Sequence, residues 1–568
     1  MQSLALFFRK NAVLVLVISF FVFANLIWWQ QNKFIQGPDE GEHLYKSIEL
    51  YESGGYLREF LHPKAHHSSY NGPFFYSTAG IFYRLFNSSA YRVSILNILI
   101  YAVILLIGIS RLERLFFNTA GILSPMFCML IYTGGVYSRF FNPDIAVCAI
   151  LVWFMYFLKK LNDTVNPKYF FMSALLILIG GYTKVMFYLY AAFPLLSYLL
   201  MAFRRGEVKK ITFNLMLIAF LPVLFWFIYP VPFERIILGR QLNCQDMLQQ
   251  DNLSVAYTAG GCLGNLKELV LIIVNSQFGG IMFLFFIFSL LVFIFSTGEK
   301  EDRFSIIACF LGPLLAFFIS TFSSLRIKSF EDRYFMPLVI TEAIIMSFAL
   351  NRFFRRRIVL RFAAALFILF FFVQYLGFSF SRTWIDFFNR HTVLKGAINL
   401  SHKPTLFIAP SLPIRSNPLD GMLQILRSAQ ENGVPGTACF IYDFEKEPFT
   451  DLLSKRLGYY TRRNQHFIYT VCDGYLTCTA GSVSEANFII VSRSYLKEKT
   501  EVLSPESLFY RKGCLDNPEA YQPFLEEFES FLREGRFRLY RQVGAYDHIL
   551  NRKEDFFMYL KEEMLKLL

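Results

Sequence analysis

Ala12-Val13-Leu14-Val15-Leu16-Val17-Ile18-Ser19-Phe20-Phe21-Val22-Phe23-Ala24-Asn25-Leu26-Ile27-Trp28-Trp29 carries no charge, and Gly37-Pro38-Asp39-Glu40-Gly41-Glu42-His43-Leu44-Tyr45 follows it closely. An apolar run of that length is enough to cross a bilayer core of about 30 Å as a helix. Arg9 and Lys10 precede it, as in a secretory signal, yet it ends on a Trp pair with no small-residue cleavage site. We therefore expect a retained first membrane helix, its Trp pair at the interface. The acidic pair Asp39-Glu40 then stands at the membrane surface. Asp39 with Glu42 three residues on, ahead of Leu44, Ile48 and Tyr51, also fits a capping box opening an amphipathic helix.

The rest of the chain repeats the first run. Of 568 residues, 55% are hydrophobic and 18% aromatic, with 67 Phe, against 17% charged. Soluble globular chains rarely approach this balance. Apolar segments near 12–30, 92–110, 118–137, 143–158, 169–183, 185–203, 211–229, 269–296, 304–322, 333–350 and 358–380 predict about eleven spans. Lys184 interrupts the stretch 169–203 and leaves each half short.

If the helices alternate, the basic groups Arg111/Arg114, Lys159/Lys160/Lys168, Arg204/Arg205/Lys209/Lys210, Lys300/Arg303 and Arg352/Arg355/Arg356/Arg357 all fall on the side of the N-terminus. The positive-inside rule makes that side cytoplasmic. Loops 31–91 and 230–268 and the tail from 381 then face outside, in a plasma (inner) membrane. The net charge of +13 marks topology, with some attraction to anionic lipid; we expect no nucleic-acid partner.

Cys128, Cys148 and Cys309 fall in predicted spans, leaving Cys244, Cys262, Cys439, Cys472, Cys478 and Cys514 outside. An even external count suits disulfides in an oxidising compartment, with Cys244–Cys262 and Cys472–Cys478 as candidate pairs, and it suits free thiols as well. No Cys-x-x-Cys spacing suggests structural zinc.

Composition divides the chain into a helical membrane domain, 1–380, and an external soluble α/β domain, 381–568. The latter alternates β-rich runs (405–409, 438–442, 466–471, 487–491) with helical patterns near 416–432, 450–463, 519–534 and 553–568. It has no Gly-x-Gly-x-x-Gly or Walker pattern. The loop 31–91 is too long for a connector. It holds an amphipathic helix over 40–54 ending at Gly54-Gly55, and an aromatic one over 73–86 suited to the interface.

Pro38-Asp39-Glu40 with His43 and Tyr45 resembles the first external loop of the GT-C class of multi-pass glycosyltransferases, which includes the protein O-mannosyltransferases and the lipid A aminoarabinose transferases. Three further stretches are similar to that class: Tyr70-Asn71-Gly72-Pro73-Phe74-Phe75-Tyr76, where many members have a Pro-Pro-Leu-Tyr-like run; Asn142-Pro143-Asp144; and Gly181-Tyr182-Thr183-Lys184. Their order and common external side make the combination specific, and it covers most of residues 1–350.

The resemblance implies a transferase that moves a hexosyl or pentosyl group from a polyprenyl-phosphate-linked donor to a glycan, lipid or protein acceptor. Asp39, with Glu40 beside it, would take the acceptor's proton, because hydroxyls are poor nucleophiles at neutral pH. Cations must surround the departing phosphate; Lys184, Arg333 and Arg139 fall at external helix ends, although Lys184 could also snorkel and Arg333 could pair with Glu331 and Asp332. His43, His67, Tyr70, Asn71, Tyr76 and Asp144 are candidate substrate contacts. His62, His66 and His67 with Asp39 could bind a divalent ion, but Asn71 stands where some relatives place an acid, so we expect no required metal or cofactor.

A transporter or flippase of a lipid-linked saccharide is the competing function, since basic external groups would bind the same phosphate without catalysis. Transporters place several polar residues along the membrane core, whereas Glu342 and Gln374 are nearly isolated here and the charges cluster at one face. A purely structural membrane partner would need none of these external acidic and basic groups.

Overall fold

A computed structural model describes residues 2–31, 43, 46–47, 50, 72–86, 90–228, 272–278, 281–296, 300–322, 332–354, 358–380, 436–442, 467–473, 488–492, 530–547 and 552–565. The chain forms two units, Met1–Trp28 with Leu50–Lys403, and Trp29–Glu49 with Pro404–Leu568.

The first unit is helical. Its elements are α1 (Gln2–Gln31), α2 (Phe74–Phe86), α3 (Ala90–Phe117), α4 (Leu123–Leu130), α5 (Tyr132–Tyr137), α6 (Pro143–Thr164), α7 (Pro167–Gly181), α8 (Met186–Arg205), α9 (Val208–Ile228), a π-helical turn Ile272–Gln277, α10 (Ile281–Phe295), α11 (Lys300–Phe322), a 3₁₀ turn Asp332–Leu338, α12 (Val339–Phe354) and α13 (Ile358–Phe380). Among the described residues four helices are long and apolar enough to cross a membrane: Asn11–Gln30, Met186–Arg205, Val208–Ile228 and Tyr334–Arg352, the last being the most enclosed. Leu16, Phe23, Phe171, Leu284 and Phe295 are exposed on helices, a penalty in water that lipid tails remove.

The single span expected near 118–137 is instead two short helices. Ile131 is extended (φ −61, ψ 127) where α4 ends, and Gly134 and Gly135 press on the turn before it. A Cβ on Gly134 would meet Cys128 O at 1.9 Å, and one on Gly135 would meet Met129 O at 2.5 Å. Carbonyls can approach that closely only where no side chain stands. Buried Glu113 anchors the start of α4, its carboxylate accepting from Thr119 Oγ1 (2.9 Å), Ser124 N (2.9 Å), Ser347 Oγ (2.7 Å) and Asn351 Nδ2 (3.2 Å). The span expected near 269–296 likewise opens as a π turn, and the one near 333–350 as the 3₁₀ turn containing Pro337.

Aromatic side chains fill the interior. Phe75 of α2 sits 4.7 Å, ring to ring, from Phe141 and 5.9 Å from Tyr101, which holds α2 by its buried face while Ile81 and Leu85 stay exposed. At the Thr164 end of α6, Lys159 bridges Asp163 (2.7 Å) and Asp302 (2.9 Å). Asp144 and Lys159 are fifteen positions apart on α6, so they lie about 22 Å from each other along the helix at 1.5 Å per residue.

The second unit contains a five-stranded mixed sheet: β1 (Gly436–Tyr442), β2 (Phe467–Asp473), β3 (Phe488–Ser492), β4 (Phe537–Asp547) and β5 (Arg552–Lys561), in the order β2-β1-β3-β5-β4, followed by α14 (Glu562–Leu565). β1 pairs in parallel with β2 and β3; β5 runs antiparallel to β3 and β4. The helix expected over 553–568 is therefore mostly strand. Phe556, Phe557 and Leu560 suit a helical face as well as a strand, and pairing decided: Leu560 lies between Phe488 and Arg538 and is buried. The expected run 405–409 and the helices over 416–432 and 450–463 lie outside the described residues, as does all of 519–534 before Ser530.

Candidate functional site

Three stretches far apart in sequence meet at one end of the helical unit. Asn142 is extended (φ −132, ψ 139) and its Oδ1 accepts from the Asp144 N–H at 3.1 Å, while Pro143 takes the first helical position. Cap and proline together start α6 with a carboxylate in its first turn, where the helix dipole favours negative charge. Nearby, α7 ends in a tight turn: Tyr182 N donates to Leu178 O (2.9 Å), and Thr183 N and Lys184 N donate to Gly180 O (3.0 and 3.1 Å). Gly181 permits it, since a Cβ there would lie 2.0 Å from the Tyr188 hydroxyl oxygen.

The third stretch lies along this turn. Gly72 N–H donates to Thr183 O and Phe74 N–H to Tyr182 O, both at 3.0 Å; Pro73, between them, has no N–H to place. Lys184 Nζ reaches across to Asp144 Oδ1 at 2.7 Å and lies 5.1 Å over the Tyr334 ring. Both charged residues are buried, Lys184 at 5% and Asp144 at 2% exposure. Asp144 Oδ2 is also buried, with no hydrogen-bond partner among the described residues.

Tyr334 belongs to the 3₁₀ turn, where Pro337 cannot donate to the carbonyl three residues before it. The Tyr190 hydroxyl of α8 donates to that carbonyl, Tyr334 O. One residue on, Gln277 Nε2 donates to Phe335 O at 3.1 Å and to Glu342 Oε2 at 3.0 Å. The arrangement is a buried ammonium–carboxylate pair walled by an aromatic ring.

Of the residues expected from sequence, Lys184, Asp144 and the Gly72–Phe74 backbone come together. Tyr76 is buried in α2 with its ring 5.8 Å from that of Phe75, and His43 is buried in the other unit. Arg139 departs from the expected phosphate-facing placement. It is 1% exposed; its guanidinium donates to Asn25 Oδ1 (2.9 Å) and Ser379 Oγ (2.6 Å) and lies 5.3 Å over Trp28 and 5.2 Å over Tyr375. It ties α1 to α13, because a buried guanidinium needs donors satisfied more than it needs a lipid face. The Lys184 ammonium meets the Asp144 carboxylate, which speaks against the snorkelling alternative.

The backbone of Arg333 lies in the 3₁₀ turn. Asp39, Glu40, His62, His66, His67, Tyr70 and Asn71 lie outside the described residues, as do Cys244, Cys262, Cys478 and Cys514. Cys128, Cys148 and Cys309 are buried free thiols. Among the described residues no group of three or more His, Cys, Asp or Glu could hold a metal ion. Tyr190, Gln277 and Tyr334 escaped sequence reasoning; the one available signal was Pro337 and the carbonyl it leaves open.

Residues 67–226 match the family model of dolichyl-phosphate-mannose-protein mannosyltransferases, and that span contains all three converging stretches. The chain thus resembles the GT-C class of membrane glycosyltransferases. Among solved structures it is similar to ArnT from Cupriavidus metallidurans bound to undecaprenyl phosphate, at 12% identity and TM-score 0.48 over 96% of this chain and 98% of that one. It is also similar to the archaeal oligosaccharyltransferase AglB from Archaeoglobus fulgidus in complex with an inhibitory peptide and a dolichol-phosphate, at 12% identity and TM-score 0.47 over 85% of this chain and 70% of that one. No curated protein matches it. Such low identities leave the chemistry to be argued from the residues.

Proposed function

We propose that this chain is an integral-membrane glycosyltransferase that moves a hexosyl or pentosyl group from a polyprenyl-phosphate-linked donor to a glycan, lipid or protein acceptor outside the plasma (inner) membrane. The observation that carries this reading is the convergence of Gly72–Phe74, Asp144 and Lys184 within the segment that matches dolichyl-phosphate-dependent mannosyltransferases. Lys184 would bind the donor phosphate through its ammonium charge, and the Tyr334 ring 5.1 Å from it would shield the contact from water. Asp39, by its place in the first-loop motif, would accept the proton of the attacking hydroxyl or amine. The new glycosidic bond forms as the anomeric carbon–phosphate oxygen bond breaks, and polyprenyl phosphate leaves with the electron pair. The reading includes about eleven spans, a cytoplasmic N-terminus and an external C-terminal α/β domain around the sheet, and it requires no metal.

Mass spectrometry of lipids and surface glycans from cells with and without the gene tests it. An unmodified acceptor together with accumulated polyprenyl-phosphate sugar is the expected result. Loss of external lipid-linked sugar, with the donor retained on the inner face, would replace the enzyme by a flippase.

A further inference from the structure

The Tyr334 ring over Lys184 is carried on a short 3₁₀ turn, Asp332–Leu338, whose carbonyls face two donors from distant elements. Tyr190 serves Tyr334 O, and Gln277 Nε2 serves Phe335 O at 3.1 Å. A primary amide can present either end. Turned over, Gln277 would set its oxygen against the Phe335 carbonyl and the Glu342 carboxylate, both acceptors. Glu342 Oε2, at 3.0 Å from the same nitrogen, therefore selects the orientation that donates to Phe335. Gln277 and Glu342 are each 1% exposed, so a reversed amide would leave its two donors buried away from both acceptors with no water to replace them. An ionisable side chain inside an apolar helix is rare and finds a polar partner; Glu342 finds Gln277, whose amide meets the residue next to the ring that covers Lys184.

We propose that Gln277 and Glu342 are positioning residues of the phosphate site: Glu342 orients the Gln277 amide, which holds the 3₁₀ turn so that Tyr334 lies over Lys184. The proposal rests on the reading of Lys184 as a donor-phosphate ligand and assigns neither residue a contact with substrate.

Undecaprenyl phosphate alone, titrated into the full chain in lipid nanodiscs, is the probe. Gln277→Leu and Glu342→Leu should each weaken binding roughly three- to tenfold, the value of one or two hydrogen bonds. Glu342→Gln, which keeps an acceptor oxygen, should bind within about twofold of wild type. The double variant Gln277→Leu/Glu342→Leu should bind no worse than Gln277→Leu, because Glu342 acts through Gln277; simple packing losses would add. In a Tyr334→Leu background, Gln277→Leu should have no further effect. Wild-type affinity in folded Gln277→Leu, or additive losses in the double variant, would overturn the proposal. Failure of the wild-type chain to bind undecaprenyl phosphate would overturn the phosphate reading itself and the proposal with it.

Discussion

Lys184 Nζ and Asp144 Oδ1 lie 2.7 Å apart, both residues buried, across 40 residues of sequence. Their pairing turns two charges that would each be expensive in an apolar interior into a neutral unit.

Removing one partner should show this coupling. Lys184→Met leaves Asp144 buried and uncompensated, so stability should fall by about 3–5 kcal/mol. Lys184→Met/Asp144→Asn should recover most of that stability yet still bind undecaprenyl phosphate at least tenfold more weakly, a charge-assisted contact being worth about 1.5–3 kcal/mol. Thermal melting and ligand titration of the same preparations separate the two effects; recovered binding in the double variant would reduce Lys184 to a structural role.

Tyr190→Phe keeps the ring and deletes the donor to Tyr334 O. With Pro337 unable to replace it, the cost should be about 1–3 kcal/mol, read as a lower melting temperature. An unchanged melt would mean that the turn satisfies itself.

Lys159 joins α6 to α11 through Asp302, their side chains being 12% and 6% exposed. Lys159→Met should destabilise by about 3 kcal/mol, the lower end for a buried pair. Lys159→Met/Asp302→Asn should recover much of it, while transfer by the recovered protein stays near normal because the cluster lies at the far end of α6. Transfer lost despite full recovery would contradict that separation.

Asp39→Asn separates capping from catalysis. Asn caps a helix as well as Asp does, so melting should hardly change, whereas loss of a general base commonly costs about 10²–10⁴-fold in rate. Transfer assays on polyprenyl-phosphate sugar decide; near-normal turnover would move the base to Glu40 or Asp144.

Reporter fusions after residues 205 and 400 should report opposite sides of the membrane, cytoplasm and exterior. The same side for both would invert the orientation on which the external site depends.

Much of the helical unit was legible because long apolar runs leave the backbone no partner but itself, and the structure shows how some of those helices begin. Asn142-Pro143-Asp144 and Asn166-Pro167-Lys168 both open helices in the structure, each Asn side chain accepting from the N–H two residues on. The motif positions of Asp144 and Lys184 were equally plain. Their contact was not, since a tertiary ion pair leaves no local pattern. The same limit hid the break at Ile131, which depends on carbonyls crowding Gly134 and Gly135, and the strand Arg552–Lys561, whose neighbours in the sheet lie up to 72 residues away at Phe488. Arg139 looked like a surface cation because its partners, Asn25 and Ser379, lie 114 and 240 residues from it. Local chemistry determined which segments are helices and which residues carry charge at their ends; only the folded chain decided which of those charges face each other, because burial makes pairing obligatory and sequence distance does not constrain it.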